Sequence, residues 1–317
     1  MSELGFGPYW LCGCRVTSAL VLPELLPAPE RLSSEPRLRI ELGAVSCQDR
    51  SRYFKNLGNE GVVLYVPGTA WIHVNPAGDC VTVQLEPESD PLLVRNFLYG
   101  SVLAVLCYRR GWLPVHGSSV RIGDAALIFS GPSGAGKSTL AMAMVRRGHA
   151  LVSDDVCAID FSSSTGPRLW PAISRVKLLA DTIDRFQLGQ ASVYTRAAMG
   201  EKGHFGMAAI DAAPLNHAPV PVAAIYMLDT GHSPCLDRVL LQGKDRFVVL
   251  EAQMHRAWMG RELGLSTQMF TQIARLAGSI PVYKLLRPRS LDAIEPITSF
   301  LEAMHGGTAG MANSVSP

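Results

Sequence analysis

Alternating or short apolar runs dominate the first quarter of the chain and predict β-strands. Four segments show this pattern: RLRIEL (37–42), VVLYV (62–66), AWIHV (70–74) and CVTVQL (80–85). Turn pairs such as Pro67-Gly68 and Asn75-Pro76 separate them, since these residues favour reversals of the chain. The sequence therefore predicts a β-rich N-terminal domain over residues 1–88.

Residues 89–111 predict a helix that bridges two halves of the chain. Ser89 or Asp90 can cap its start, a proline follows in the first turn, and Gly111 closes it. Its most apolar run, residues 97–107, is flanked by arginines and is too short to span a bilayer. We expect a buried helix and no membrane insertion.

The pattern then changes to strand, glycine turn, helix and strand, which is typical of a parallel βαβ unit. The four parts are residues 125–130, 131–138, 139–148 and 149–153. Further on, apolar runs predict strands at 222–228 and 247–250 and helices at 267–277 and 290–304, before a small polar tail at 306–317 that predicts disorder. The predicted fold is α/β, with a parallel or mixed sheet in a phosphate-loop domain over 112–305, preceded by the smaller β-rich domain.

Composition and net charge bear on the fold, the partners and the location that we expect. Of 317 residues, 48% are hydrophobic, which is ample for a core, and 29 basic side chains face 27 acidic ones. So weak a net field gives no reason to expect a nucleic-acid partner. Seven cysteines, an odd number without a recognisable secretory leader, favour a reduced cytoplasmic location, and the Cys12–Cys14 spacing favours structural cysteines over metal ligands.

The segment GPSGAGKS, residues 131–138, satisfies the phosphate-loop pattern GxxxxGK[ST] between a predicted strand and helix. Its backbone amides and the helix N-terminus suit nucleotide phosphates. We expect Lys137 to reach the β and γ phosphates, Ser138 to place its hydroxyl on Mg²⁺, and Thr139 to support them. The other expected nucleotide contacts are Gly131, Ser133, Gly134, Ala135 and Gly136. The alternative is a glycine turn without a ligand.

An acidic pair, Asp154 and Asp155, follows the next predicted strand. Because the carboxyl ends of parallel strands meet at one sheet edge, both should face the γ phosphate. One carboxylate could hold Mg²⁺ while the other takes a proton from an acceptor hydroxyl; we assign Asp154 as the base and Asp155 to the metal. Solvated turn carboxylates are the alternative. His116, just upstream, is a further catalytic candidate or a hydrogen-bonded packing residue.

Three segments together resemble the catalytic domain of HPr kinase/phosphorylase: HGSSV (116–120), GPSGAGKST (131–139) and RGHALVSDD (147–155). The wider layout is similar to HPr-kinase-like proteins encoded with lasso-peptide biosynthesis genes. The resemblance implies ATP and Mg²⁺ as cofactors, phosphorylation of a serine near the C-terminus of a precursor peptide, and an active-site role for His116. It also extends the expectation to a homo-oligomer, as in the bifunctional HPr enzyme.

Two departures from the family pattern matter. No stretch resembles the RGLG segment of the bifunctional enzyme, so phosphorolysis is not expected. The segment YTRAAMGEKGHFGM (194–207) could occupy the corresponding region, with Arg196, Glu201 and Lys202 as phosphate or peptide contacts, or it could be a solvated loop.

Basic side chains elsewhere are weaker candidates. Arg175 and Lys177 could bind the nucleotide or a peptide carboxylate, and Arg287 with Arg289 forms a second pair, although surface charge is the default for all four. The sequence leaves three functions open: a serine kinase of a peptide or protein, a nucleotide-dependent peptide-binding or assembly module without phosphotransfer, and a kinase for a small hydroxyl metabolite.

Overall fold

The structure is a computed structural model that describes residues 6–30, 35–188, 193–196, 202–206, 217–229, 233–288 and 290–306. The predicted tail after residue 306 and the residues Glu201 and Arg289 lie outside this part of the chain. The backbone of Arg196 and Lys202 is described, but their side chains are not.

An eight-stranded sheet forms the N-terminal part. Its strands are β1 (Phe6–Leu11), β2 (Cys14–Ser18), β3 (Leu26–Pro27), β4 (Arg37–Leu42), β5 (Phe54–Asn56), β6 (Val62–Val66), β7 (Ala70–Val74) and β8 (Cys80–Leu85). They lie in the order β3-β1-β2-β4-β8-β7-β6-β5, parallel at β2–β4–β8 and antiparallel elsewhere. The four strands predicted from alternation are confirmed with the predicted bounds, because turn residues end each of them.

A bent helix follows as α1 (Pro91–Phe97), a π-helical turn (Leu98–Val102) and α2 (Leu103–Arg109). Asp90 caps it by accepting a hydrogen bond from the backbone N–H of Leu92 at 2.8 Å. These 19 residues are long and apolar enough to cross a membrane, but 72% of the apolar window is buried inside the fold. The prediction of a buried helix is confirmed; the apolar helix is longer than the sequence run suggested.

The remaining elements are β9 (Leu113–Ile122), β10 (Ala125–Ser130), α3 (Lys137–Arg146), β11 (Ala150–Asp160), β12 (Arg168–Trp170), β13 (Arg175–Leu179), α4 (Ala180–Arg185), β14 (Val193–Arg196), β15 (Lys202–Gly206), β16 (Val220–Met227), β17 (Asp237–Leu240), α5 (Gly243–Ala252), α6 (Ala257–Glu262), α7 (Ser266–Ser279), β18 (Val282–Leu286) and α8 (Ile294–His305). The predicted helices at 267–277 and 290–304 and the strand at 222–228 are confirmed as elements.

The central sheet is mixed, in the order β10-β9-β11-β12-β16-β18-β17, and β10 also pairs with β16. Strands β10 and β11 flank the phosphate-loop helix and run parallel, but β9 lies between them and is antiparallel to both. The expectation of a simple βαβ pair is therefore wrong in this detail. The inserted strand matters for function because it carries His116 and Ser118.

The predicted strand at 247–250 is wrong, because these residues belong to α5. Four consecutive apolar residues suggested a buried strand, yet Val248 is 56% exposed and only Leu250 is fully buried. In a strand, residues two positions apart point to the same side, so an exposed Val248 and a buried Leu250 do not fit a buried strand. In a helix, these two residues lie on different faces.

One apolar core joins the two parts of the chain. It combines side chains from the N-terminal strands and the bent helix with Val156 and Ala158 of β11 and Met259 of α6. A second core lies between α3, α8 and the central sheet. The first core fixes the N-terminal part against the strand that carries the acidic pair.

Candidate active site

A cleft of about 670 Å³ opens at the phosphate loop. Its walls come from the loop, from β9, β11 and β13, from the bent helix and from the segment after α5. Within the described residues, the N-terminal sheet contributes no wall residue, whereas Asn96, Phe97 and Gly100 of the bent helix do. The cleft therefore unites most of the residues that the sequence singled out.

The loop from Gly131 to Gly136 connects β10 to α3. Gly131 has φ +137°, and a Cβ there would lie 2.0 Å from the carbonyl oxygen of Leu228, so only glycine fits. Gly136 has φ +85° and caps α3. Lys137 is buried, and its Nζ donates to the carbonyl oxygens of Gly131 and Pro132 at 2.9 Å each. The ammonium thus lies inside the loop where phosphates would enter.

The acidic pair lies in the middle of β11, not at the end of a strand as predicted. Strand β11 continues to Asp160, so the position of the pair is set by the pairing of the strands. Asp155 lies opposite Gly117 of β9, and Gly117 lies opposite Ser130, the last residue of β10. Asp155 has φ +79°, which is uncommon for a residue with a side chain and is one of the conformations that cluster at functional sites. The pair is therefore level with the start of the phosphate loop.

Asp154 is bound to the phosphate loop. Its Oδ1 accepts hydrogen bonds from the hydroxyls of Ser138 at 2.9 Å and Ser118 at 2.5 Å, and its Oδ2 accepts from the backbone N–H of Lys177 at 3.0 Å. Asp154 is 4% exposed, so each carboxylate oxygen needs such donors. The arrangement is a buried cluster of hydroxyl and carboxylate oxygens beside the loop.

Asp155 faces the other side of the cleft. Its Oδ2 accepts from Lys177 Nζ at 2.8 Å, and its Oδ1 lies 3.4 Å from His116 Nδ1. Burial raises the pKa of Asp155, but hydrogen bonding to His116 and the charge of Lys177 outweigh it and hold this pKa well below its usual value. The carboxylate is thus charged at neutral pH, beside an ammonium and an imidazole.

Sequence analysis missed His255 and Gln253, which follow α5. Backbone hydrogen bonds tie this segment to β9: His116 N–H donates to the Gln253 carbonyl at 2.7 Å, and His255 N–H to that of Pro114 at 2.8 Å. Gln253 Oε1 also accepts from the Gly131 N–H at 3.1 Å. Burial lowers the pKa of His255 to about 4, so its ring is neutral at pH 7. No local motif marks these residues.

Arg175 is not on the surface, as a substrate contact would require, because it is 2% exposed. Its guanidinium donates to Asn96 Oδ1 at 2.6 Å and to His204 Nδ1 at 3.2 Å, and it lies 3.5 Å from the Glu24 carboxylate. Tyr99 completes this cluster by donating to Glu24 at 2.9 Å. Arg175 therefore joins the N-terminal part and the bent helix to strand β13.

The other predicted contacts have different surroundings. Thr139 Oγ1 lies 3.1 Å from Thr182 Oγ1 of α4. Ser133 lines the cleft, and the guanidinium of Arg287 donates to the carbonyl oxygen of Ala135 in the loop. Arg287 is thus the member of the second basic pair that the structure places beside the loop.

Comparison with known proteins bears on the same region. Residues 112–170 match the family model described as the HPr Serine kinase C-terminal domain. The matched segment is similar to that domain. It contains β9, the phosphate loop and the acidic pair, so the family match covers the residues whose geometry is given above.

Individual relatives agree with this match. Proteins named HPr kinase/phosphorylase are 36% identical over 80 residues (Treponema pallidum, strain Nichols), 34% over 95 (Chlorobium luteolum) and 48% over 44 (Pelodictyon phaeoclathratiforme). The alignments cover 23%, 30% and 14% of this chain and 25%, 25% and 13% of the relatives. The chain therefore aligns with no more than a quarter of these relatives' length.

A solved structure titled Hpr(Ser) kinase/phosphatase from Coxiella burnetii matches at 16% identity with a TM-score of 0.32, over 60% of this chain and 89% of that one.

Proposed function

We propose that this protein is an ATP- and Mg²⁺-dependent kinase that phosphorylates a serine hydroxyl of a peptide or protein. The observation that carries the proposal is the hydrogen bond of 2.9 Å between Ser138 of the phosphate loop and Asp154. It joins the phosphate loop to a carboxylate, and the second carboxylate next to it lines the cleft. Relatives named HPr kinase/phosphorylase support a serine kinase.

The residues fit both cofactors. Hydroxyl and carboxylate oxygens are the ligands that Mg²⁺ prefers, and Ser138 and Asp154 supply them. The glycine conformations and the buried Lys137 suit a triphosphate. When bound, ATP supplies the transferred phosphoryl group and Mg²⁺ neutralises charge on its oxygens. We propose that Lys137 exchanges its two carbonyl acceptors for phosphate oxygens.

The hydrogen bonds favour the opposite roles for the two aspartates from those that the sequence suggested. Asp154 lies against Ser138 and is the residue for Mg²⁺. Asp155 faces Lys177 and His116 and is the residue for the acceptor hydroxyl. With so low a pKa, Asp155 orients the hydroxyl and accepts its proton late, which suits a loose transition state in phosphoryl transfer.

Lys177 and His116 hold Asp155 in place on either side. Lys177 bonds to both aspartates, through its backbone N–H and its ammonium, so it fixes their separation. His116 Nδ1 donates to the carbonyl oxygen of Asp155 at 3.0 Å, which steadies the strained residue. We infer that these two residues position the base, and that Lys177 also offsets negative charge during transfer.

We further propose that the acceptor serine lies near the C-terminus of a lasso precursor peptide, that the N-terminal part contributes to peptide recognition, and that the reaction takes place in the cytoplasm. The resemblance to lasso-cluster kinases supports this choice. Arg256 suits recognition of a peptide carboxylate, because it lines the cleft and lies over the ring of Tyr53 from the N-terminal part. We also propose that Arg196 and Lys202 contact the phosphate or the peptide, and that the protein forms a homo-oligomer.

The full chain should be incubated with ATP, Mg²⁺ and the precursor peptide encoded by neighbouring genes, and phosphate should be detected by mass spectrometry. A peptide with alanine in place of the serine, an HPr-type carrier protein and a set of hydroxyl metabolites complete the panel. Labelling of the serine peptide alone supports the proposal. Labelling of a metabolite alone shows a metabolite kinase, and nucleotide binding with no labelled acceptor shows a binding or assembly module.

Variants separate the two carboxylates. Asp155→Asn should retain ATP binding and lower the transfer rate by about 100-fold or more, the scale of a lost general base. Asp154→Asn and Ser138→Ala should instead raise the Mg²⁺ concentration needed for half-maximal activity. Asp124→Asn, at an exposed position on the β9–β10 turn, is the matched control and should behave as the wild type. Equal effects of both active-site aspartate changes on Mg²⁺ dependence would contradict the assigned roles.

A further inference from the structure

Two histidines and a carboxylate meet on the acceptor side of the cleft. His116 comes from β9, Asp155 from the strained point of β11, and His255 from the segment after α5. One ligand atom from each lies within 4.8 Å of those of the other two. This cluster draws on three elements that only the tertiary fold brings together.

Each of the two histidines has a ring nitrogen available to a ligand. A carbonyl oxygen only accepts, so the proton of His116 is on Nδ1, which contacts the carbonyl oxygen of Asp155 at 3.0 Å. That leaves Nε2 as the nitrogen with a lone pair in the neutral ring. The ring centroids of His116 and His255 lie 5.7 Å apart, and the two ring planes are inclined by 34°. Nε2 of His255 is buried and has no hydrogen-bond partner within the described part of the chain.

Such an orphaned buried nitrogen is uncommon and points to a missing partner. Asp155 can supply a ligand as well, because Lys177 occupies Oδ2 while Oδ1 faces the histidine. The lysine then serves to orient the carboxylate, as outer partners of metal ligands do. The cluster thus offers two imidazole nitrogens and one carboxylate oxygen.

This donor set distinguishes metals. Two imidazoles and a carboxylate suit Zn²⁺, whereas Mg²⁺ prefers oxygen ligands alone. At Zn–N distances of about 2.0–2.1 Å, the ligands of a tetrahedral site lie about 3.3 Å apart. One ligand atom of each residue starts within 4.8 Å of the other two, so these atoms need to approach one another by only about 1.5 Å at most.

We propose that His116, Asp155 and His255 form a Zn²⁺ site that is separate from the Mg²⁺ position at Ser138 and Asp154. Occupation of this site inhibits phosphotransfer, because Zn²⁺ takes the Asp155 carboxylate oxygen that would accept the proton of the acceptor hydroxyl. The inhibition rests on the proposed function, while the binding of Zn²⁺ does not.

Direct binding tests the site. Full-length protein carrying Cys235→Ser, which removes an exposed thiol, should be freed of metal and titrated with Zn²⁺ against a chromophoric chelator. We expect one Zn²⁺ per chain, retained in excess Mg²⁺. Co²⁺ in place of Zn²⁺ should give visible absorption bands of nitrogen and oxygen ligation.

Matched variants locate the binding. His116→Ala and His255→Ala should each weaken Zn²⁺ binding by more than about tenfold, since loss even of outer partners costs that much. His73→Ala, a histidine bonded to the Glu60 carbonyl on the N-terminal sheet, and Asp154→Asn should keep the wild-type affinity. Circular dichroism verifies folding, and His255→Gln replaces the alanine variant if that one does not fold.

The outcomes are distinct. Unchanged Zn²⁺ affinity in both histidine variants, loss of Zn²⁺ to equimolar Mg²⁺, or no binding at all overturns the site. Zn²⁺ bound at these residues without any fall in phosphotransfer at saturating Mg²⁺ overturns the inhibition. If no acceptor is phosphorylated in the absence of Zn²⁺, the proposed function fails, and the binding measurements still decide the site.

Discussion

Glu24 should stabilise this protein far more than a surface carboxylate does. Its carboxylate is fully buried and accepts from Arg95 Nε at 3.0 Å and from Tyr99 at 2.9 Å, with the Arg175 guanidinium 3.5 Å away. Burial and the Arg175 charge lower the pKa of His204 to about 3, so this histidine is neutral at pH 7. The described contacts of Arg175 thus include only one anion, Glu24.

The expected loss of stability follows because Arg175 has no other anion among its described contacts. Removing one partner of a buried ion pair costs about 3–5 kcal/mol, because the remaining charge has lost its compensation. Glu24→Gln keeps one acceptor oxygen, so we expect the lower end, about 3 kcal/mol. At about 2–4 °C per kcal/mol for a chain of this order of size, the melting temperature should fall by about 6–12 °C.

The assay is urea denaturation followed by tryptophan fluorescence, together with thermal melts. Glu41→Gln is the control, because Glu41 pairs with Arg39 at 3.1 Å on the exposed surface and should change stability by less than about 0.5 kcal/mol. A double variant, Glu24→Gln with Arg175→Met, should lose less than the sum of the single changes. A Glu24→Gln protein within about 1 kcal/mol of the wild type, or strict additivity, would refute the reasoning.

Three further expectations concern the loop and the helix packed on it. Gly131→Ala should abolish nucleotide binding in equilibrium titrations, because its Cβ would lie 2.0 Å from a carbonyl oxygen, whereas Gly134→Ala, with nothing within 4 Å, should reduce it modestly. Gln253→Ala should weaken nucleotide affinity, since it removes an acceptor of the Gly131 N–H. The hydrogen bond from Arg147 chiefly lowers the pKa of Glu302 to about 2 from 4.5, so its stabilising effect is full above pH 4.5 and is lost as the pH falls towards 2. The destabilisation by Glu302→Gln in urea should therefore shrink between pH 6 and pH 3.

Short sequence patterns predicted those strands and turns whose conformation depends mainly on neighbouring residues in the chain. The strands at 37–42 and 80–85 follow from alternation between turns, and the phosphate loop follows from glycines at fixed spacing between a strand and a helix. In each case, the sequence signal lies within about ten consecutive residues. The strand at 247–250 failed for the same reason, since a four-residue apolar run does not distinguish helix from strand without its partners.

The acceptor side of the site depends on contacts distant in sequence. His255 reaches His116 because its backbone bonds to Pro114, and no pattern around residue 255 indicates that bridge. Arg175 resembled a surface charge because its anionic partner, Glu24, is far away in the chain. Pairing and burial of this kind arise from tertiary packing, which residue spacing does not encode.

The proposed site residues lie partly inside and partly outside the segment that matches the family model. The family match over 112–170 includes Ser138, Asp154 and Asp155, the residues proposed for the nucleotide, the metal and the base. Lys177 and His255, which surround Asp155 on the acceptor side, lie outside it. If the proposed function holds, part of the pocket for the acceptor is therefore built by segments of the chain beyond the match. Changes at His255 and Arg256, which line the cleft and have no described hydrogen bond to the phosphate loop, should therefore alter which hydroxyl is phosphorylated more than they alter ATP affinity.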